Sequence, residues 1–144
     1  MFTKHFTLKE ANYLLPQIKA IVEEIIEKRE VMHSNIMCYE DLLEKERDER
    51  EELELMYIKT IISLDNQEIK ELIEVIEGFG VLVKGLDPVI VDFPAMNDGE
   101  EIFLCWKEDE DRIEFWHGKY EGFAGRKPVS MLKVEQGNKR YFNF

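Results

Sequence analysis

Apolar residues recur at alternating steps of three and four along the first half of the chain. One row runs from Leu15 to Leu43 and a second from Leu55 to Ile76. Such steps keep apolar side chains on one face of an α-helix, and repeats this long are typical of helices that pair lengthwise. Residues 44–52, all charged, separate the rows. The pattern predicts a coiled-coil-like antiparallel helical hairpin with a turn around residues 46–50.

The ends of this hairpin carry ordinary helix signals. Thr7 and Glu10 have the spacing of a capping box, in which each side chain accepts a hydrogen bond from the other residue's backbone N–H. Gly78 and Gly80 follow the second apolar row and are typical of helix C-terminal caps. The hairpin is therefore predicted over residues 7–79.

The second half of the chain changes to short β-branched and aromatic runs. These are Val81–Val83, Val89–Val91, Ile102–Trp106 and Ile113–Trp116, divided by turn-forming or acidic segments. They predict a small antiparallel β-sheet over residues 80–130, followed by a C-terminal tail, 131–144. With 144 residues, the chain is expected to form a single α+β domain, 1–144.

A tight turn at residues 108–111 places Lys107 opposite Arg112 and sorts the side chains of the two strands that flank it by face. On that register His117 lies on the core face with Trp106, whereas Cys105 and Trp116 lie on the other. The prediction therefore excludes a Cys105–His117 catalytic dyad, and no catalytic residue is assigned. Trp116, beside the two cations, is predicted to form a recognition patch for a protein or small ligand.

The amino-acid composition of the chain restricts the kinds of partner that it can bind. Nineteen basic against thirty-one acidic residues give a net charge of −12, which argues against binding nucleic acid or an anionic membrane surface. No apolar run approaches the roughly 20 residues of a membrane span, and the N-terminus lacks the layout of a signal peptide. Cys38 and Cys105 belong to neither a CxxC motif nor a regular disulfide framework, and they are predicted to be free thiols. A cytoplasmic protein is expected.

A series of short strings follows one another in order along the chain. They are Glu10-Ala-Asn-Tyr-Leu-Leu-Pro16, Val91-Asp-Phe-Pro94, Leu104-Cys-Trp106, Glu110, Trp116-His117 and Gly122-Phe-Ala-Gly-Arg-Lys-Pro128. Together they resemble the prokaryotic domain-of-unknown-function family 2203, over residues 2 to about 130. The resemblance implies no activity. It implies only that the segment from Asp92 to Arg126 is the family's signature region.

Four residues in that segment have side chains suited to binding. Asp92, Glu110 and His117 are of the types that bind hard or borderline metal ions, although none has a close metal-ligand spacing. The competing interpretation is that His117 makes a local hydrogen bond and Asp92 caps a turn. Arg126 follows two glycines and could bind an anion, but an ion pair with Asp92 is preferred. No cofactor is assigned.

The leading functional hypothesis comes from surplus apolar positions on the helices. Ile21, Ile26, Ile61 and Ile73 flank the two rows and need a partner, either the second half of the chain or another copy of the protein. We therefore expect a non-enzymatic interaction or assembly module, as a homo-oligomer or with a protein partner. The alternative is a small-molecule- or metal-binding protein, possibly an enzyme. It would use Asp92, Glu110, His117 and Arg126.

Overall fold

The computed structural model describes residues 4–133. Two long helices, α1 (Leu8–Leu43) and α2 (Glu49–Glu77), precede an antiparallel sheet. Its strands, in chain order, are β1 (Leu82–Leu86), β2 (Val89–Asn97), β3 (Glu100–Lys107), β4 (Phe115–Gly118) and β5 (Lys127–Pro128). Short 3-10 turns at Phe123–Gly125 and Val129–Met131 flank β5. The predicted α+β layout of a helical hairpin followed by a sheet is confirmed.

Both helices begin at a capping box. Thr7 N donates to Glu10 Oε1 at 2.9 Å, and Glu10 N donates to Thr7 Oγ1 at 3.0 Å. Asp48 and Glu51 form the same reciprocal pair at the start of α2, at 3.2 and 2.8 Å. These caps satisfy backbone donors that a first helical turn leaves unpaired. The second box fixes the start of α2 in a turn that contains no glycine or proline.

The chain divides into two compact units. One runs from the N-terminus to Lys19 and resumes at Ile76, and the other is Ala20–Val75. In the second unit the residues of the predicted apolar rows are mostly buried or half-buried. The end of the first row differs from the prediction, because Leu42 is buried whereas Leu43 is 49% exposed. The single domain over residues 1–144 stays a prediction. Residues 134–144 of the predicted tail lie outside the described residues.

The sheet has the simple order β1-β2-β3-β4-β5, with every neighbouring pair antiparallel. Asp98 and Gly99 form the two-residue turn between β2 and β3, both with positive φ, at 54° and 81°. This geometry is that of a hairpin turn whose twist matches the strands, and it pairs Asn97 with Glu100. The same register places Asp92 opposite Cys105 further along the ladder.

The predicted register of the next hairpin is wrong by one residue. Phe103 pairs with His117, and Cys105 pairs with Phe115. The reason is that the connection is longer than a tight turn, since the chain leaves the ladder between β3 and β4 and Ile113 is held outside it. The amide of Asn12, on α1, accepts a hydrogen bond from Ile113 N at 2.8 Å. Because neighbouring side chains alternate, this shift moves His117 to the face that carries Cys105 and moves Trp116 to the other.

The two faces of the sheet have different compositions. One face is an apolar core surface formed by Val89, Val91, Phe93, Ala95, Ile102, Leu104 and Trp106, all buried. Phe6, just before α1, packs edge-on against Phe93 with ring centroids 5.4 Å apart. The opposite face holds the buried polar side chains Asp92 and His117. Among residues 4–133, no helix has both the length and the apolar character needed to cross a bilayer.

Candidate functional site

Three adjacent strands each place one potential ligand side chain on the same face of the sheet. Asp92 comes from β2, Cys105 from β3 and His117 from β4. One ligand atom from each lies within 4.8 Å of the other two. The residues are 1%, 0% and 3% exposed. Polar side chains this deeply buried are uncommon unless they are paired or bind an ion, so this cluster is the candidate site.

The ring of His117 is held by acceptors at both nitrogens. Nε2 lies 2.9 Å from Asp92 Oδ2, and Nδ1 lies 2.9 Å from the carbonyl oxygen of Gly118. A carbonyl oxygen only accepts, so Nδ1 carries a proton and Nε2 is the nitrogen directed into the cluster. Phe103 lies against the ring, with centroids 5.5 Å apart. These contacts fix the orientation of the imidazole.

Charge in the cluster is concentrated on one ion pair. Burial by itself lowers the pKa of His117, but hydrogen bonds with Asp92, Cys105 and the Gly118 carbonyl outweigh it and raise the pKa to about 10. The imidazole is therefore cationic at neutral pH and is balanced by the Asp92 carboxylate. The second carboxylate oxygen, Asp92 Oδ1, is buried and has no hydrogen-bond partner among the residues that the structure describes.

The arrangement brings together three side chains that could hold a metal ion. The prediction that the sheet separates Cys105 from His117 is wrong, because the two share a face. A general base for a thiol needs a ring nitrogen free to take the thiol proton. Here the nitrogens are directed at Asp92 and Gly118, and Cys105 is fully buried. A carboxylate, a thiol and an imidazole converging on one point match the mixed ligand sets of zinc.

Arg126 and Glu110, both singled out in the sequence, bind each other. Arg126 Nη1 and Nη2 donate to the two carboxylate oxygens of Glu110 at 2.8 and 2.7 Å. The preferred Arg126–Asp92 ion pair is therefore wrong, since Asp92 pairs with His117. Glu110 is not one of the three clustered ligands, and its place is taken by Cys105. The resulting pair adjoins the cluster, because Arg126 Nη2 also donates to Cys105 O at 3.0 Å.

Trp116 lies away from the cluster, on the face of the sheet opposite to that of His117. Its ring is half-buried, and its Nε1 donates to Pro128 O at 3.1 Å. Lys127, rather than Lys107 or Arg112, is the cation beside it, with Nζ 4.6 Å from the ring centroid. The predicted patch of Trp116 with Lys107 and Arg112 is therefore replaced by a Trp116–Lys127 stack.

Acid is expected to weaken the fold through Glu110. Burial alone raises its pKa, but hydrogen bonds from Arg126 and from the Lys107 N–H lower the pKa below 4.5 overall. A lowered folded-state pKa contributes stability above the unfolded-state value, and that stability is lost as the pH falls through the folded value. Urea unfolding of Glu110→Gln and of the wild type should therefore differ most at neutral pH, and the difference should shrink as the pH falls below about 4.3, the usual pKa of a glutamate. Glu114→Gln, at an exposed site, is the control, and parallel pH profiles for the wild type and Glu110→Gln would contradict the assignment.

Cys105 is the site residue that the sequence interpretation missed. Asp98-Gly99 between two apolar runs is a strong hairpin signal. Pairing residues outward from that turn brings Asp92 opposite Cys105. The signal for the Asp92–Cys105 pair was therefore present in the sequence.

The described residues thus define an α+β protein with a long helical hairpin and a buried aspartate–cysteine–histidine cluster on its sheet. A family model described as "Uncharacterized conserved protein (DUF2203)" matches residues 4–129. The chain therefore belongs to domain-of-unknown-function family 2203, as its motifs predicted. Searches for similar curated proteins and for similar solved structures find no match.

Proposed function

We propose that this protein binds a transition-metal ion of the zinc class through Asp92, Cys105 and His117. The observation that carries the proposal is the Asp92 carboxylate. One of its oxygens is buried with no hydrogen-bond partner among the described residues, next to the two other ligand side chains. An unpaired buried carboxylate oxygen is costly, and coordination to a cation would remove that cost.

The ligand types favour zinc over magnesium or calcium. A thiolate is a soft ligand and an imidazole a borderline one, and both suit zinc, whereas magnesium and calcium require oxygen ligands. Three protein ligands are the number found where zinc keeps a fourth position for water or another group. The cluster thus supports a zinc-class ion held by one ligand from each of three strands.

The setting of His117 supports the same assignment. Metal-binding histidines usually donate their other ring N–H to a carbonyl or carboxylate, which fixes the ring. Nδ1 of His117 donates to Gly118 O in this way, and Nε2 is directed at Asp92. An ion bound here would displace the Nε2 proton of His117, and His117 Nε2 and the Asp92 carboxylate would be among the groups that hold it.

The position of the ligands in the sequence is a further support. Each belongs to a different string among those that carry the family resemblance: Val91-Asp-Phe-Pro94, Leu104-Cys-Trp106 and Trp116-His117. The three strings lie on three neighbouring strands, and the one polar or thiol side chain that each contributes to this face points into the same cluster. Three of the strings on which the family resemblance depends therefore meet at one point of the sheet.

Cobalt and zinc titrations of the chelator-treated full-length protein test the proposal. We expect one equivalent of Co²⁺ to produce a thiolate-to-cobalt charge-transfer band, and Zn²⁺ to abolish it by competition. Zinc at 100 times its dissociation constant should stabilise the fold by about 2.7 kcal/mol, measured by thermal unfolding. If cobalt produces no thiolate-to-cobalt band and zinc does not stabilise the fold, the proposed metal-binding function is wrong.

A second candidate function, self-association, is favoured by a different observation in the unit Ala20–Val75. On α2, large apolar side chains at helical spacing are more than half exposed: Leu53, Met56, Tyr57 and Leu64. Contiguous exposed apolar side chains are typical of interaction surfaces. They support the interaction-module hypothesis, with a second copy of the chain as the partner.

Light scattering over a concentration series tests self-association. The wild type is expected to exceed the monomer mass, and Tyr57→Lys to weaken association by about tenfold or more, as loss of an interface tyrosine commonly does. Asn66→Lys makes the same charge change at an exposed polar position of α2 and is expected to have little effect. A wild type that stays monomeric at every concentration would exclude this function.

A further inference from the structure

We propose that Arg126 is a positioning residue for the Cys105 ligand, a role that rests on the proposed metal site. Arg126 lies beyond β4 in the chain, yet its guanidinium reaches back to the strand that carries Cys105. Arg126 Nη2 donates to Cys105 O at 3.0 Å. Cys105 and Phe115 form the last pair of the β3–β4 ladder. The arginine therefore holds the backbone of the ligand residue at the point where strand pairing ends.

The guanidinium of Arg126 is itself held at both Nη atoms and on its faces. Glu110 binds both Nη atoms in a two-point ion pair, and the Arg126 side chain is only 12% exposed. The rings of Phe115 and Phe123 lie 4.3 and 4.6 Å from its central carbon. A planar guanidinium can combine such stacking with two-point hydrogen bonding, which a lysine ammonium cannot. The immobilised guanidinium of Arg126 therefore restrains the backbone of Cys105 through its hydrogen bond to the Cys105 carbonyl oxygen.

Glu110 connects the same arginine to the turn that follows β3. Its Oε1 accepts a hydrogen bond from Lys107 N at 2.9 Å, and its carbonyl oxygen accepts one from Trp106 Nε1 at 2.9 Å. The two residues after Cys105 are thus fixed by Glu110, and Cys105 by Arg126. Groups of this kind around a metal ligand orient it and tune its affinity.

Cobalt binding by Arg126→Lys tests the role. This variant keeps the positive charge but loses the planar two-point contact. We expect its affinity for Co²⁺ to fall by about 10–100-fold, as is usual when a partner of a metal ligand is lost. The thiolate-to-cobalt band should also shift or weaken, because the sulfur is placed less accurately. A residue that only stabilised the fold would leave both the band and the affinity unchanged at a temperature well below unfolding.

Lys127→Gln is the matched control. Lys127 is the next residue, pairs with Glu121 and stacks on Trp116, on the other face of the sheet. Its loss should leave cobalt binding unchanged. If Arg126→Lys does not fold, Glu110→Gln takes its place, because it removes the charge that holds the arginine and is expected to give a smaller loss in the same direction.

The outcomes separate the two proposals. In one outcome the wild type binds cobalt, while folded Arg126→Lys or Glu110→Gln keeps the wild-type cobalt affinity and an unchanged band. That result would overturn the role of Arg126 alone. A wild type that binds no cobalt would overturn the metal site and this role with it. Weakened binding in Lys127→Gln equal to that in Arg126→Lys would also count against a specific role.

Discussion

Asp92→Asn is expected to lower the free energy of unfolding by about 3–5 kcal/mol, the usual cost of removing one partner from a buried ion pair. The substitution keeps the size of the side chain and removes its charge. His117 then remains buried, 3% exposed, without the carboxylate that balances it. A loss of this size corresponds to a decrease in Tm of roughly 10 °C for a protein of this length.

Urea denaturation of the metal-free protein measures this effect. Asp98→Asn is the control, because Asp98 makes an exposed ion pair with Lys133 at 3.1 Å, and such pairs contribute no more than about 1 kcal/mol. Adding His117→Gln to Asp92→Asn should cost little more, since the interaction between the two side chains is already lost in the single variant. Equal losses in the two asparagine variants would show that the Asp92–His117 pair does not carry the expected charge.

Cys105→Ser is expected to abolish the thiolate-to-cobalt band and to weaken Zn²⁺ binding by more than the roughly 100-fold that loss of an outer partner can cost. A serine hydroxyl stays protonated at neutral pH and is a hard ligand, so it does not replace a thiolate. The substitution is nearly isosteric. Its effect on the fold without metal should therefore be small beside its effect on zinc-dependent stabilisation.

Cys38→Ser provides the comparison within the same chain. Cys38 is an exposed free cysteine on α1, in the other compact unit. Calorimetric titration with zinc should give wild-type affinity for Cys38→Ser and a large loss for Cys105→Ser. Equal zinc affinity in the two variants would remove Cys105 from the ligand set, leaving Asp92 and His117 as an ion pair.

The helical half could be predicted from the sequence because its signals are local. Apolar spacing, Thr7–Glu10 capping and the glycines after Ile76 act over a few residues, and the helices follow them closely. The end of the first row moved from Leu43 to Leu42. That error reflects the last turn of a helix, where the turn geometry rather than the repeat decides which side is covered.

The site could be predicted only in part, because its geometry depends on strand register. Asp92 and His117 were recognised by chemical type. The Asp98-Gly99 turn indicates the pairing of Asp92 with Cys105. The relation of His117 to Cys105 is not indicated in this way, because it depends on a connection after β3 that is longer than the predicted tight turn. Asn12, about one hundred residues earlier, holds Ile113 out of the ladder. No local pattern in residues 102–117 contains that information.

The ion-pair partner of Arg126 also could not be predicted from local sequence patterns. Both Asp92 and Glu110 are acids within the signature region, and sequence alone does not rank them. The choice is made by the three-strand arrangement, in which Asp92 is already bound to His117 and Glu110 is folded back over Lys107. Pairing in a compact structure is settled by which acid is left accessible to the guanidinium.

The distribution of the cluster over three consecutive strands gives it a second consequence, for the accuracy of folding. A slip of one residue in either ladder turns Asp92 or His117 to the wrong side of the sheet and strands a charge among apolar side chains. In the native register the Asp92 carboxylate and the His117 imidazolium balance each other's charge. We therefore expect the cluster to disfavour misaligned hairpins, whether or not an ion is bound.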